Sequence, residues 1–198
     1  MTTDFIWDLT RQTLFDPRAA ASRLIALPFS REWLWKALAL MSVLNAMVYA
    51  LSMMASGPPQ PDAEMLIPTA FQSPGLMALF LVGALVVTVL TLTWIGQSMG
   101  GRGQIRDVLA LIVWLQVMRL MVQLLLLVSV VVMPVLGILL AVVASVWGVA
   151  ILVCFIDRAH GFDNLFKAAA VLILCVMAMV VGLSAILGVL MAAVMGGA

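Results

Sequence analysis

The sequence predicts an all-α fold: a polytopic membrane helical bundle of five transmembrane helices, preceded by an N-terminal cytoplasmic amphipathic helix. Three observations carry this. Of 198 residues, 65% are hydrophobic and 10% charged, with a mean hydropathy of +1.22, whereas soluble domains run at about 45–50% apolar and about 25% charged. Several apolar runs reach the roughly 20 residues that a helix needs to cross about 30 Å of hydrocarbon. The basic residues, finally, fall in segments that alternate with segments holding none. A net charge of +1 gives no broad attraction for nucleic acid.

Residues 1–32 form an amphipathic, cytoplasmic preface. They lack the unbroken apolar core of a signal peptide, so the chain is expected to start near Met1. Asp16-Pro17 reads as an N-cap followed by proline at the first helical position, opening a short helix that runs through Leu27 and stops at Pro28. Its arginines, Arg18 and Arg23, either reach anionic headgroups with the helix lying in the membrane plane, or sit on a linker helix docked on the protein itself. Ser30 caps the next helix, and Phe29 is placed to staple onto Leu34.

The transmembrane domain, 33–198, holds spans at about 34–55, 76–96, 108–132, 134–156 and 168–193. Trp33 and Trp35 mark the first interface, with Lys36 snorkelling to the same headgroups. Five prolines between residues 58 and 74 forbid a helix there, and the apolar patches of that stretch suggest that it lies against the membrane. The glycine-rich segment 96–107 is a tight basic turn. From Val108 to Ile156 the apolar run is too long for one crossing and right for two, folded at Met133-Pro134. No internal repeat is visible, which leaves an inverted-repeat transporter unsupported.

Counting charge sets the orientation. Arg11, Arg18, Arg23, Arg31 and Lys36 precede or open the first span; Arg102 and Arg106 lie between the second and third; Arg158 and Lys167 lie between the fourth and fifth. The opposite loops and the C-terminus hold none. The positive-inside rule then places the N-terminus in the cytoplasm and the C-terminus outside, in the periplasm if the membrane is bacterial. Eight arginines against two lysines fit a GC-rich genome, so the expected site is a bacterial inner membrane.

The tenth basic residue, Arg119, is the sharpest feature. At about 1.5 Å per residue it lies roughly 16 Å beyond Val108, near the midplane. A charge there costs at least about 2.5–3.5 kcal/mol. Gln116, Arg119 and Gln123 share one helix face, expected to point into the bundle because lipid offers no hydrogen bonds. Asn45, Thr88 and Ser145 fall at matching depth on other spans. A polar layer of these residues would satisfy the guanidinium internally; the alternatives are an anion, a lipid headgroup or a partner subunit's carboxylate, since no span carries an Asp or Glu at that depth.

Other patterns are weaker. Asp157, His160 and Asp163 have a spacing that is no recognised metal signature, and Gly161 among them implies a turn, so His160 reads as a solvated interfacial residue or a sensor of cytoplasmic pH. GGRG at 100–103 lacks the phosphate-loop pattern. Small residues at Gly96/Gly100, Ala144/Gly148, Ala178/Gly182 and Ser184/Gly188 have the spacing for close helix approach. Cys154 and Cys175 lie inside apolar runs and read as small core side chains. With no Ser–His–Asp set, paired intramembrane carboxylates, H-E-x-x-H or C-x-x-C, the chain reads as non-enzymatic, with no cofactor and no metal.

The DPRAAASRL preface, the GGRG turn leading into ALIVWLQ (110–116), a proline between spans three and four, and HGF (160–162) before the last span occur in an order that resembles the YIP family, named as Ypt/Rab-interacting proteins, in its short bacterial form. The resemblance covers nearly the whole chain and implies a five-span fold with a cytoplasmic N-terminus. Eukaryotic relatives bind prenylated Rab GTPases and shape transport membranes through a longer N-terminal region with a D-L-Y-G-P type motif; both are missing here, so Rab binding does not carry over. The expected role is a scaffold, assembly factor or accessory subunit, with membrane lipids, other membrane subunits or a second copy as partners. Its expected contact surface is Arg18, Arg23, Arg102, Arg106, Asp157, Arg158 and His160. A small channel or transporter using Arg119, and a lipid-binding or curvature-sensing protein, are the alternatives.

Overall fold

The computed structural model describes residues 3–55 and 73–195, whose regular structure is helical throughout. The helices are α1 (Thr3–Phe15), α2 (Pro17–Ile25), α3 (Arg31–Ala55), α4 (Pro74–Ser98), α5 (Ile105–Val132), α6 (Pro134–His160) and α7 (Leu165–Met195). Helices α3 to α7 are each long and apolar enough to cross a membrane. The proline-rich stretch expected to lie against the membrane falls outside the described residues.

Local chemistry sets the helix ends. Asp16 Oδ1 accepts the Ala19 N–H at 3.1 Å and Pro17 opens α2, as an N-cap with proline behind it requires. Ser30 Oγ accepts the Trp33 N–H at 3.2 Å at the start of α3. Phe29 packs against the buried cluster that includes Leu34, and its ring also stacks on Trp33 at 4.6 Å and 11°. Pro134 opens α6, where its missing N–H leaves no helical bond unmade. Gly161 ends α6 at φ 64°, a left-handed turn that a side chain would strain.

α3, α5 and α7 start, and α4 and α6 end, at the end of the bundle that carries the basic residues, called here the basic end. Side-chain burial is concentrated there. Buried apolar side chains stop at Ala46 on α3, Met118 on α5 and Cys175 on α7; they begin at Val89 on α4 and Ile151 on α6. At about 1.5 Å per residue, these limits lie about 13–22 Å from the basic end. Beyond them the helices present Leu124, Leu125, Val128, Leu139, Val142 and Val180 outward. Among the described residues the bundle is closed in one half and open in the other.

The preface is two helices rather than one, and both dock on the bundle. α1 folds back on α2, where Arg23 pairs with Asp8 at 2.6 Å, donates to Gln12 at 3.2 Å and lies 4.7 Å over the Phe5 ring. α2 is held at the basic end by Arg18, paired with Asp157 on α6 at 2.9 Å. The carbonyls of Leu27 and Phe29, just beyond α2, accept from Arg106 at 2.6 and 3.1 Å. α1 sits deeper. Its Thr13 hydroxyl accepts from Trp114 Nε1 at 2.9 Å, its Leu14 carbonyl accepts from Trp147 Nε1 at 3.1 Å, and Thr10 approaches the Met121 sulfur at 3.9 Å. Those partners lie about 14 and 24 Å along α5, and about 20 Å back along α6, by helical rise. α1 therefore lies beneath α2 on the flank of the spans, with Trp7 and Phe15 turned outward.

Candidate functional site

Two groups of polar side chains stand out: one at mid-span and one at the basic end. At mid-span the expected polar layer is not assembled. Asn45 is buried on α3, donating to its own Met41 carbonyl at 2.7 Å and to the Gln116 carbonyl of α5 at 3.3 Å. Thr88 donates to Ala84 and lies 3.6 Å from the Met179 sulfur. Ser145 is exposed and donates to Ala141. Each hydroxyl is satisfied one turn back on its own helix, so among the described residues of the layer Asn45 and Gln116 meet, through a backbone carbonyl, and the others do not join them.

Arg119 corrects the inward expectation in an informative way. It lies on the face of Val108, Ile112 and Leu115, positions spaced by four, three and four residues. That face, in the closed half, meets Leu92, Leu152 and Phe155 around a cavity of about 10 Å³. At Arg119 the covering helices have ended their tight contact, and the side chain is exposed. It has no hydrogen bond or ion pair among the described residues. Gln123, one turn further, keeps a buried Oε1 without a partner, as does Asn45 Oδ1.

The basic end is the opposite case: a dense knot. Asp157, fully buried on α6, pairs with Arg18 and accepts the Asn164 N–H at 2.8 Å. Asn164 in turn accepts from Phe166 and Lys167, capping α7. One carboxylate thus joins α2, α6 and the entry to α7.

His160 was expected to be solvated but is 1% exposed. Its Nδ1 lies 3.0 Å from the Ile156 carbonyl, and its ring stacks on Phe162 at 5.3 Å beneath the Lys167 ammonium. Three glycines make room for it. A Cβ at Gly96 would overlap Nε2, one at Gly103 would lie 2.6 Å from the ring, and one at Gly101 would lie 2.7 Å from the His160 Cβ. The glycines of this turn therefore serve close approach, and positive φ is needed at Gly100 alone among those at 96–103. The Arg102 N–H donates to the His160 carbonyl at 3.0 Å and completes the wrap. The sequence signal for it was a surplus of glycines over what one turn needs, set against a single histidine.

As a contact surface, the seven expected residues divide. Arg102 and Arg158 are exposed, the latter 3.4 Å from Asp163. Arg18, Arg23 and Arg106 are engaged in holding the preface. Asp157 and His160 are interior and present nothing to a partner, because the preface and the glycine turn cover them. The small-residue pairs also behave differently from expectation. A Cβ at Gly148 or Gly182 would meet no atom within 4 Å, so close helix approach does not use them; Gly188 is at a position whose side-chain surroundings are not described. Between α1 and α2 lies an open cleft of about 410 Å³ edged by Asp8, Arg11, Gln12 and Asp16. No group of three or more potential metal-ligating side chains occurs among the described residues.

A family model described as the Yip1 domain matches residues 11–186. No curated protein and no solved structure matches the chain.

Proposed function

The chain belongs to the Yip1 family of membrane proteins, and from that premise we propose that it is a non-enzymatic scaffold or accessory subunit that offers helix faces to other membrane proteins. The observation that carries this reading is the uneven closure of the bundle. The half nearest the basic end is packed around a cavity of about 10 Å³, room for one water at most, while the far half leaves long apolar faces on α5, α6 and α7 uncovered. A substrate chamber needs several hundred Å³, and the cleft of about 410 Å³ between α1 and α2 is an open surface feature rather than an enclosed one. Contiguous faces rich in Leu and Val at membrane depth suit helix–helix contact, lipid contact, or both.

In this reading the basic end faces the cytoplasm and α7 ends on the other side, in an inner membrane of bacterial type. Of the preface, α2 at the basic end forms the cytoplasmic contact surface together with Arg102 and Arg158. Purification in mild detergent from the native membrane is expected to recover a stoichiometric membrane partner or a defined oligomer. Recovery of neither sinks the reading.

A second reading is favoured by α1 alone. It carries outward Trp7 and Phe15 beside Asp4, Asp8 and Arg11, the composition of an in-plane membrane helix. Lipid or curvature sensing through this helix predicts that deleting residues 1–28 abolishes any preference for small vesicles while the spans still insert. A scaffold acting through its spans still inserts stably after the same deletion and keeps a partner that docks on the spans rather than on the preface.

A further inference from the structure

We infer that Arg119 is the docking point for a transmembrane helix of another protein that carries a carboxylate near the middle of its span. The inference rests on the scaffold reading and names the chemistry of its partner.

Arg119 lies 14 residues into α5, about 21 Å from Ile105 by helical rise and close to the middle of the helix. It is exposed and has no polar partner among the described residues. A guanidinium in this position faces hydrocarbon, where an intramembrane cation persists only by pairing or by reaching water. Lipid cannot supply the pair, since headgroup phosphates lie about 15 Å from the centre of a core about 30 Å thick.

The spans of a second copy cannot supply it either. The only carboxylates on the five spans are Glu32, Asp107 and Asp157, all at the basic end, and Asp157 is already buried against Arg18. No other Lys or Arg of the spans lies at that depth to build a binding site for a free anion, since Arg31, Lys36, Arg106, Arg158 and Lys167 are all at the basic end. The occupant that fits is a carboxylate delivered at depth on a foreign helix. Energy transfer between labelled copies of the chain without peptide, lost in Arg119→Leu, would instead assign the pairing to Asp4 or Asp8 on α1 of a second copy and overturn the inference.

The surroundings fit such a helix. Arg119 lies on the face whose basic half is sealed by α4 and α6 and whose far half is open. The incoming helix would lie along Val122 and Leu126, which continue the Arg119 face of α5, and Ala144 and Gly148, which continue the Leu152 and Phe155 face of α6. Gly148, whose missing Cβ meets nothing within 4 Å, leaves the neighbouring surface of α6 unobstructed. Gln123, one turn from Arg119, offers an amide donor to the second carboxylate oxygen, its own Oε1 being buried without a partner. The arrangement is a single charge-assisted, bidentate anchor on an otherwise apolar face.

The test reconstitutes the full chain in phosphatidylcholine vesicles with a fluorescently labelled Leu/Ala-rich transmembrane peptide bearing one central Glu, and measures energy transfer at varied peptide fraction. The same peptide with central Leu or Gln is the control. The Glu peptide is expected to associate about tenfold more tightly than the Leu peptide, with Gln between. Arg119→Leu is expected to abolish the difference, and Arg119→Lys to retain most of it. Arg119→Glu is expected to reverse the preference towards a Lys-centred peptide.

Arg119→Leu removes an unpaired charge from the membrane, so its thermal unfolding temperature in detergent is expected to equal or exceed that of the parent chain. Equal binding of Glu and Leu peptides, binding unchanged in Arg119→Leu, or a lower unfolding temperature for that variant overturns the inference. Its failure is separable from failure of the scaffold reading. A native partner retained by Arg119→Leu sinks this inference alone, while a parent chain that recovers no partner and no oligomer sinks the scaffold.

Discussion

At the scale of single residues, His160 and its glycines give the sharpest expectation. Gly96→Ala forces a Cβ into the buried imidazole, and overpacking of this kind costs about 1–3 kcal/mol or more. Adding His160→Ala vacates that space, so the double variant is expected to unfold at a higher temperature than Gly96→Ala alone. Gly148→Ala meets nothing and gains helix propensity, for a stabilisation of about 0.5–1 kcal/mol. Thermal unfolding in detergent reads all three, and additivity of the first pair would contradict the packing described. Arg18→Ala leaves Asp157 buried with only the Asn164 N–H and is expected to destabilise by about 1.5–3 kcal/mol, the scale of hydrogen bonds to charged groups. The sequence made the helix signals at Asp16, Pro17 and Pro134 readable because each acts within one turn of itself. It also placed Arg119 at its depth and on its face. Whether that face is covered depends on where α4 and α6 stop touching α5, which no local pattern encodes.

At the scale of elements, five spans were legible because apolar length is a one-dimensional quantity and the membrane thickness fixes it. α1 was not. Asp4, Asp8 and Arg11 interrupt any apolar run, and the buried stripe is only Leu9, Thr10 and Thr13, two of them hydroxylic. Its position is held by a polar contact that crosses about a hundred residues of sequence, from Trp114 to Thr13. The Thr13 hydroxyl donates to Leu9 at 2.8 Å while it accepts from the indole, so its two roles are separable. Thr13→Val strands a buried indole N–H and is expected to cost about 1–3 kcal/mol; Trp114→Phe leaves the hydroxyl bonded and should lose less through polar terms. Protease access to the α1–α2 connection is expected to rise more in Thr13→Val than in Trp114→Phe. Equal protection in both variants would mean that α1 is held by its apolar contacts alone.

For the whole molecule, the decisive property is that stability and surface are divided between the two halves of one bundle. Lipid is as apolar as leucine, so helix association in a membrane rests on packing and hydrogen bonds rather than on escape from water. Here the packing, the ion pair of Arg18 with Asp157 and the glycine-wrapped histidine all lie at the basic end. The far half contributes length and surface. An alanine scan should therefore give a stepped profile along the bundle axis. Leu109→Ala and Phe155→Ala, both buried to within 1%, are expected to destabilise by about 2–5 kcal/mol. Leu139→Ala and Val142→Ala, at 60% and 58% exposure, should stay within about 0.5 kcal/mol. If the far half is a docking surface, those same two variants lower the affinity for a partner helix without moving the unfolding temperature. A flat profile, with far-half variants as damaging as near-half ones, would mean that the spans close over their full length and that the exposed faces are not available to a partner.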